Sequence, residues 1–347
     1  MKNYLSFPLL LFSSFFINLA TISAQVPQID QSEQARIRRQ LESELTQNTT
    51  VEAYENAESI PEIIPGEEQD IGPQYLMSIK PRKRWVEGYV DSQYYYTSNV
   101  FLSEDTATEN GEDTGILVST IEAAFAPDPW DFDGDQLYFR LGFRHQWYNY
   151  GLDKTENGLN DLDFDSQTVF TQTGFRFHET WFATVGFDWQ RLLGHDSSED
   201  DYAEFYKEYV PSWSLEKQFP ISDDMLFTSN YEGRYYFTEQ ENFNTETQDR
   251  TSQALTLAYL WTPLQELLIQ TYYRFEFSRY THEKDPNDLE KRLDWSNSIG
   301  MGLYYLPTEW LTLRTFISYD RRDSDRSAIA DYDIYNAGGG ISCSMRY

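Results

Sequence analysis

From Trp85 to the end of the chain, apolar and polar side chains alternate with a period of two. Over Leu267–Thr281 one face carries Leu267, Ile269, Thr271, Tyr273, Phe275 and Phe277. The other carries Leu268, Gln270, Tyr272, Arg274, Glu276 and Ser278. Over Asp135–Tyr150, Leu137, Phe139, Leu141 and Phe143 oppose Tyr138, Arg140, Gly142 and Arg144. Over Arg292–Leu306, Leu293, Trp295, Ile299, Met301, Leu303 and Tyr305 share a face whose one polar member is Asn297. A period of two is the signature of β-strands with two differently solvated faces. It predicts about twelve of them: Trp85–Leu102, Gly115–Ala126, Asp135–Tyr150, Leu162–His178, Trp181–Leu193, Ala203–Phe219, Met225–Thr238, Ser252–Trp261, Leu267–Thr281, Arg292–Leu306, Trp310–Arg321 and Tyr332–Tyr347.

The connections alternate as well. Pro127–Gly134, Glu179–Thr180, Pro220–Asp224, Thr262–Glu266 and Pro307–Glu309 are short and often hold proline. Ser103–Thr114, Gly151–Asp161, Gly194–Tyr202, Glu239–Arg250, His282–Lys291 and Arg322–Asp331 are longer and acidic. Short turns on one side and longer loops on the other are what a membrane-spanning barrel of antiparallel hairpins requires. Trp85, Trp130, Trp181, Trp261 and Trp310 all fall at the short-turn ends, where amphipathic rings favour a membrane interface. Mid-strand charges fall on the inward parity, since a lipid-facing arginine at the midplane costs ~2–4 kcal/mol. The expected fold class is all-β: a single transmembrane antiparallel up-and-down β-barrel of about twelve strands.

The final stretch, Tyr332–Tyr347, sets Tyr347, Met345, Cys343, Ile341, Gly339, Ala337 and Tyr335 on one face. Arg346, Ser344, Ser342, Gly340, Gly338 and Asn336 form the other. A strand ending on an aromatic is a poor sheet edge but a good barrel seam. With Tyr347, Met345 and Ile341 outward, it resembles the C-terminal signal that bacterial outer-membrane barrels show to their assembly machinery. Near the start of the strand region, Tyr94-Tyr95-Tyr96-Thr97-Ser98-Asn99-Val100-Phe101-Leu102-Ser103 is similar to an opening segment of bacterial outer-membrane β-barrel porin families, often encoded near surface-polysaccharide genes. The resemblance covers the chain from Trp85 on. It implies a bacterial outer-membrane location and brings no catalytic residues.

Before the strands, residues 1–24 read as a secretory signal peptide, with Lys2, an apolar Leu5–Ala20 core and a small-residue site at Ile22-Ser23-Ala24. Residues 25–80 read as a mostly unstructured periplasmic segment: a short polar helix over Asp30–Gln47, then an acidic run broken by Pro61, Pro65, Gly66 and Pro73. A plug or a partner-binding helix is the functional alternative there. Lys80, Arg82, Lys83 and Arg84 form a basic cluster placed to meet lipid headgroups, or simply a solvated strand start. The barrel itself spans 85–347. A net charge of −30 argues against nucleic acid, and 26 Tyr, 23 Phe and 9 Trp argue against an acidic disordered chain. A mean hydropathy of −0.64 excludes a bundle of membrane helices but not a barrel with a polar lumen.

By parity the lumen receives Arg140, Arg144, Arg176, Arg234, Arg274, Arg314 and Arg346. It also receives Glu87, Asp91, Glu122, Asp188, Glu208, Glu216, Glu232, Glu276, Asp294 and Asp320. These charges make either a polar conduit or a set of ion pairs closing a narrow barrel, and carboxylates are too numerous for anion selectivity. No cofactor is expected. Asp131, Asp133 and Asp135 in a turn, and Asp161, Asp163 and Asp165 at a strand start, have calcium-ligand types without the downstream glutamate of a calcium loop. His195-Asp196-Ser197 is the only His-x-Ser pair and lies in a loop, a thin basis for an esterase. The expected function is a passive channel or part of a surface export route, with a small solute or polysaccharide as cargo and no catalysis. The expected partners are outer-membrane lipid and the barrel assembly machinery. A non-conducting structural or adhesive barrel is the alternative.

Overall fold

A computed structural model describes residues 84–347, apart from 101–112, 133–134, 153–161, 179, 196–201, 223, 241–248, 282–291, 309 and 326–330. The signal peptide and the 25–80 segment expected from the sequence lie outside the described residues.

Thirteen strands follow one another: β1 (Val86–Thr97), β2 (Thr114–Phe125), β3 (Trp130–Phe132), β4 (Asp135–Tyr150), β5 (Phe164–Phe177), β6 (Trp181–His195), β7 (Tyr202–Ser222), β8 (Met225–Gln240), β9 (Arg250–Leu264), β10 (Leu267–Tyr280), β11 (Leu293–Thr308), β12 (Leu311–Ser324) and β13 (Tyr332–Arg346). Each long strand pairs antiparallel with its sequence neighbours. The seam closes where β1 meets β13, from Glu87 opposite Arg346 to Thr97 opposite Asn336. The three-residue β3 lies within the stretch read as a turn. It pairs with the start of β4 on the edge that β2 occupies further along, so it is not a wall strand. Twelve long strands thus form a closed barrel, and closure leaves no edge.

The parity seen in the sequence becomes inside and outside. Val90, Ile121, Val185, Ile299, Ile317 and Ile341 point out and are widely exposed. Asp91, Thr120, Thr184, Ser318 and Ser342 on the opposite parity are buried. In most strands the outward apolar run spans about ten residues, such as Trp181 to Trp189. Tilted at ~40° with ~3.3 Å per residue, that is roughly 25 Å, the height of an outer-membrane apolar band. Trp85, Trp130, Trp181, Trp261 and Trp310 mark its short-turn rim. A second girdle, not identified from the sequence, marks the other rim with Tyr96, Trp147, Trp189, Tyr209, Tyr235, Tyr319 and Tyr335.

The expectation that mid-strand charges turn inward holds, and at the rims some charges point outward. Lys217 points outward at the short-turn rim, where its ammonium donates to Thr180 Oγ1 (2.7 Å) and lies 4.8 Å from the Trp181 ring centre. Its stem covers apolar wall while its charge reaches the interface. At the far rim Arg191 donates to Gln167 Oε1 (2.8 Å), and Lys207 pairs with Glu239 (2.7 Å). Both lie at or beyond the upper girdle, where water or headgroups solvate them.

The short turns are locked locally. Asp224 accepts from Ser222 Oγ (2.6 Å) and Trp261 Nε1 (3.2 Å), and the Ser222 hydrogen bond foremost holds its carboxyl below the ordinary range. At the other end Asp163 accepts from the Tyr150 backbone N–H (2.7 Å), tying the end of β4 to the start of β5. Gly151 leaves β4 at φ 66°, a left-handed conformation that glycine adopts without steric cost.

Candidate functional site

The inward faces of the twelve long strands line a lumen built from residues far apart in sequence. All the charged residues assigned to it by parity lie on the inward face, but they are distributed in tiers and paired in ways that parity does not specify.

The tier nearest the short turns is an ion-pair cluster. Arg140 Nε donates to Glu87 (3.1 Å), and a terminal nitrogen of Arg140 donates to Glu122. Arg144 donates to the other oxygen of Glu122 (2.8 Å). Both guanidiniums stand near the Phe170 ring, at 4.8 and 5.5 Å. Arg346, on the closing strand, approaches Glu87 and Asp128 at 3.5 Å each. This cluster therefore straddles the seam and links β1, β2, β4 and β13. Arg176 sits on the same inner wall, opposite Gln136 of β4.

Next to it, Arg314 donates to Asp91 (2.7 Å) and Gln93 and reaches Tyr89 Oη (3.4 Å). Both Arg314 and Asp91 are almost fully buried. Glycines make room for these neighbours. A Cβ on Gly338 would fall 2.3 Å from Tyr95 Cβ and 2.5 Å from the Tyr94 carbonyl, so only glycine fits there.

At mid-height on the β8–β10 wall, Glu232 pairs with Arg234 and lies 3.5 Å from Arg274, which donates to Glu276 (2.8 Å). Glu276 also accepts from Ser252 Oγ (2.6 Å). Here three of the four side chains keep solvent contact, 32 % for Arg234, 27 % for Arg274 and 26 % for Glu276, while Glu232 keeps 12 %. Asp188 faces inward from β6, between Phe170 of β5 and Val210 of β7.

The tier nearest the longer loops was not anticipated. Arg250 lies 3.9 Å from the Tyr236 ring centre and 6.0 Å from that of Tyr280. Arg292 stacks on Tyr280 (4.1 Å) and chelates Asp294 (2.9 and 2.6 Å). Arg322 stacks on Tyr332 (4.3 Å). The sequence reading placed Arg250 and Arg322 in loops and left Arg292 unassigned at a strand start. In the structure Arg250 opens β9, and Arg322 lies within β12. The missed signal was parity itself: each arginine stands two residues from an inward side chain, Ser252, Asp294 or Asp320. The other side of this tier is apolar, with Ile116, Val118, Tyr148, Tyr150, Phe164 and Leu192 all buried. Phe205, set at a register shift between β6 and β7, meets Phe164 edge-on (6.4 Å).

The remaining sequence candidates fare as follows. Asp131 pairs in β3 opposite Gln136, and Asp135 opens β4 opposite Phe132; Asp133 lies outside the described residues. Strand pairing holds Asp131 and Asp135, and among the described residues no three potential metal ligands gather. Asp165 points outward beside His145 (3.4 Å), while Asp163 binds the Tyr150 backbone. His195 is not a loop residue but ends β6, while Ser197 lies outside the described residues. Tyr347, Met345 and Ile341 are exposed on the outer wall, and Tyr347 Oη meets Met345 Sδ at 3.3 Å.

No protein-family model matches the sequence, and no curated protein matches it either. Among solved structures, the COG4313 outer membrane channel from Pseudomonas putida F1 is similar at 8 % identity, with 82 % of this chain and 100 % of that chain covered and a TM-score of 0.49. The beta domain of the Bordetella autotransporter BrkA is similar at 12 % identity, covering 75 % and 100 %, with a TM-score of 0.42. The KdgM porin in complex with disordered oligogalacturonate is similar at 12 % identity, covering 74 % and 99 %, with a TM-score of 0.36. No residue role passes across at such values, and the chain's own geometry decides: closed antiparallel walls, an apolar band between two aromatic girdles and an inward charged face. It is a closed twelve-strand antiparallel β-barrel of the outer-membrane type.

Proposed function

We propose that this barrel is a passive channel for small hydrophilic solutes. The observation that carries the reading is the solvent contact kept by Arg234, Arg274 and Glu276 on the inner wall at mid-height. Charges inside a dry barrel bury completely, and these do not. Two arginines and two glutamates make that surface locally neutral, so it favours polar solutes without strong preference for either ion sign. The tiers of paired charge on either side are closely packed, so any route past them is narrow. That suits a small solute better than a bulky polysaccharide chain, and a role in surface export would require another subunit. The channel works by diffusion and needs no catalytic group. Single-channel conductance in planar bilayers tests the reading: small steps with weak ion selectivity are expected, and a silent bilayer containing verified folded barrel overturns it.

The buried pairs Arg140–Glu122, Arg314–Asp91 and Arg292–Asp294 favour a second reading, a non-conducting barrel that serves as a structural or adhesive platform. Silent bilayers would support it.

A further inference from the structure

On the outer wall at the short-turn rim, three hydrogen-bond donors stand in one register row on neighbouring strands. Trp181 of β6 stands opposite Lys217 of β7, and Lys217 stands opposite Ser229 of β8. Neutral groups hold the Lys217 ammonium in place. It donates to Thr180 Oγ1 (2.7 Å) and lies 4.8 Å from the Trp181 ring centre and 5.8 Å from that of Phe219. Thr180 is itself fixed. Its hydroxyl donates to the His178 carbonyl (3.2 Å), and its own carbonyl accepts from the Gln218 N–H (2.8 Å). With that proton used, Thr180 Oγ1 serves Lys217 as an acceptor, and the ammonium keeps two further donor positions. Ring faces attract the charge without neutralising it. The outward cations of the far rim are arranged differently. Lys207 meets Glu239 (2.7 Å), Arg191 meets Glu204 (3.6 Å) and Arg321 meets Asp323 (2.8 Å). Among the described residues no carboxylate pairs with Lys217, and neither the Trp181 ring N–H nor the Ser229 hydroxyl has a hydrogen-bond partner.

We propose that this row binds the phosphodiester headgroup of an anionic phospholipid in the leaflet next to the short turns. It lies at the edge of the apolar band, the level of lipid headgroups. The uncompensated ammonium calls for an anion, with an indole N–H and a hydroxyl as neutral donors on either side. A phosphodiester presents two non-bridging oxygens that share one charge, so it accepts from more than one of these donors at once. The wall beside the row suits the rest of the lipid. One step nearer the midplane Ala183, Leu215 and Tyr231 stand in line on the same three strands, and Val185 and Trp213 follow. Val185, Trp213, Leu215 and Tyr231 are exposed, so acyl chains have apolar surface to cover. On the other side Phe219 and Phe227 close the row, their ring centres 5.8 Å apart. A free anion would use the donors and leave that apolar wall bare. The site is on the outer wall and does not depend on whether the lumen conducts.

The test uses the full folded barrel in a non-ionic detergent. Native mass spectrometry counts the lipid retained when phosphatidylglycerol or phosphatidylcholine with the same acyl chains is added. The parent should retain phosphatidylglycerol more tightly, and Lys217→Gln should weaken that retention about fivefold, the effect of one basic side chain at an anionic lipid surface. Ser229→Ala, which removes a neutral donor, should weaken it as well. Lys207→Gln, at the far rim, should leave it unchanged. Inorganic phosphate in excess should not displace the lipid. Unheated gel migration checks that each variant is a folded barrel. Equal retention of the two lipids by the parent overturns the proposal, and so does full retention by Lys217→Gln. Full retention by Ser229→Ala overturns the three-donor row. An equal loss in Lys207→Gln overturns it too, because any rim cation would then serve. Displacement by inorganic phosphate overturns the lipid site in favour of a free-anion site.

Discussion

Replacing Glu122 by alanine removes one carboxylate from between two guanidiniums. Glu122 and Arg140 have side chains only 4 % and 5 % exposed, and Arg144 is 11 % exposed. Breaking a buried pair by deleting one partner costs ~3–5 kcal/mol, most of it from the charge left behind. Arg140 keeps Glu87 at 3.1 Å, and both arginines keep the Phe170 face, so the lower end of that range applies. About 3 kcal/mol is expected, a shift of roughly 150-fold in the folding constant. The paired variant Glu122→Leu with Arg140→Leu should regain only part of the loss, because Arg140 is no longer stranded but Arg144 still lacks its carboxylate. The parent, the single variants Glu122→Leu and Arg140→Leu and the paired variant form a cycle that isolates the coupling. Equilibrium urea unfolding in short-chain phosphatidylcholine vesicles, followed by tryptophan fluorescence, provides the free energies. Arg321→Ala is the control, since Arg321 and Asp323 are 57 % and 36 % exposed, and its unfolding midpoint should not move. A loss below ~1 kcal/mol for Glu122→Ala would refute the reasoning, because it would mean that water already solvates Arg140 and that this tier is not sealed.

Arg274→Glu should shift reversal potentials towards cation selectivity with little loss of barrel stability, since the site is wet; poor assembly of this variant would instead mark a packed interior. Deleting Tyr347 removes the backbone bonds from Tyr347 N to Val86 O (2.8 Å) and from Val86 N to Tyr347 O (2.9 Å), together with the terminal aromatic. Outer-membrane levels of folded barrel should fall, and unchanged levels would dismiss the assembly signal. Gly338→Val should prevent seam closure, because its Cβ would overlap Tyr95, and the fast-migrating unheated band should vanish; a normal band would show that β1 and β13 can part without cost.

The sequence by itself determined the strand texture, the alternation of short and long connections, and the inward or outward direction of nearly every strand side chain. These are local properties. Parity depends only on the pleat, so Arg274 and Glu276 could be set on one inward face before any partner strand was known. The acidic loops and the tryptophans at the short-turn ends were legible for the same reason, because each marks a chain position relative to a membrane. Only tertiary structure decided which inward charges meet. Glu122 joins Arg140 and Arg144 because β2 pairs with β4, and Arg314 reaches Asp91 across β13 because β12 and β1 flank it at the seam. Register and closure set those encounters, and both depend on contacts far apart in sequence. The tier of arginines stacked on tyrosines needed both kinds of information. Arg250, Arg292 and Arg322 carry the inward parity, yet they sit where strands run on beyond the apolar band, and there hydropathy no longer separates strand from loop. Likewise Ile116, Val118 and Leu192 sit on a face that reads as solvated in a channel. Only the closed wall, bringing large side chains in from opposite sides, makes that end of the lumen a packed core.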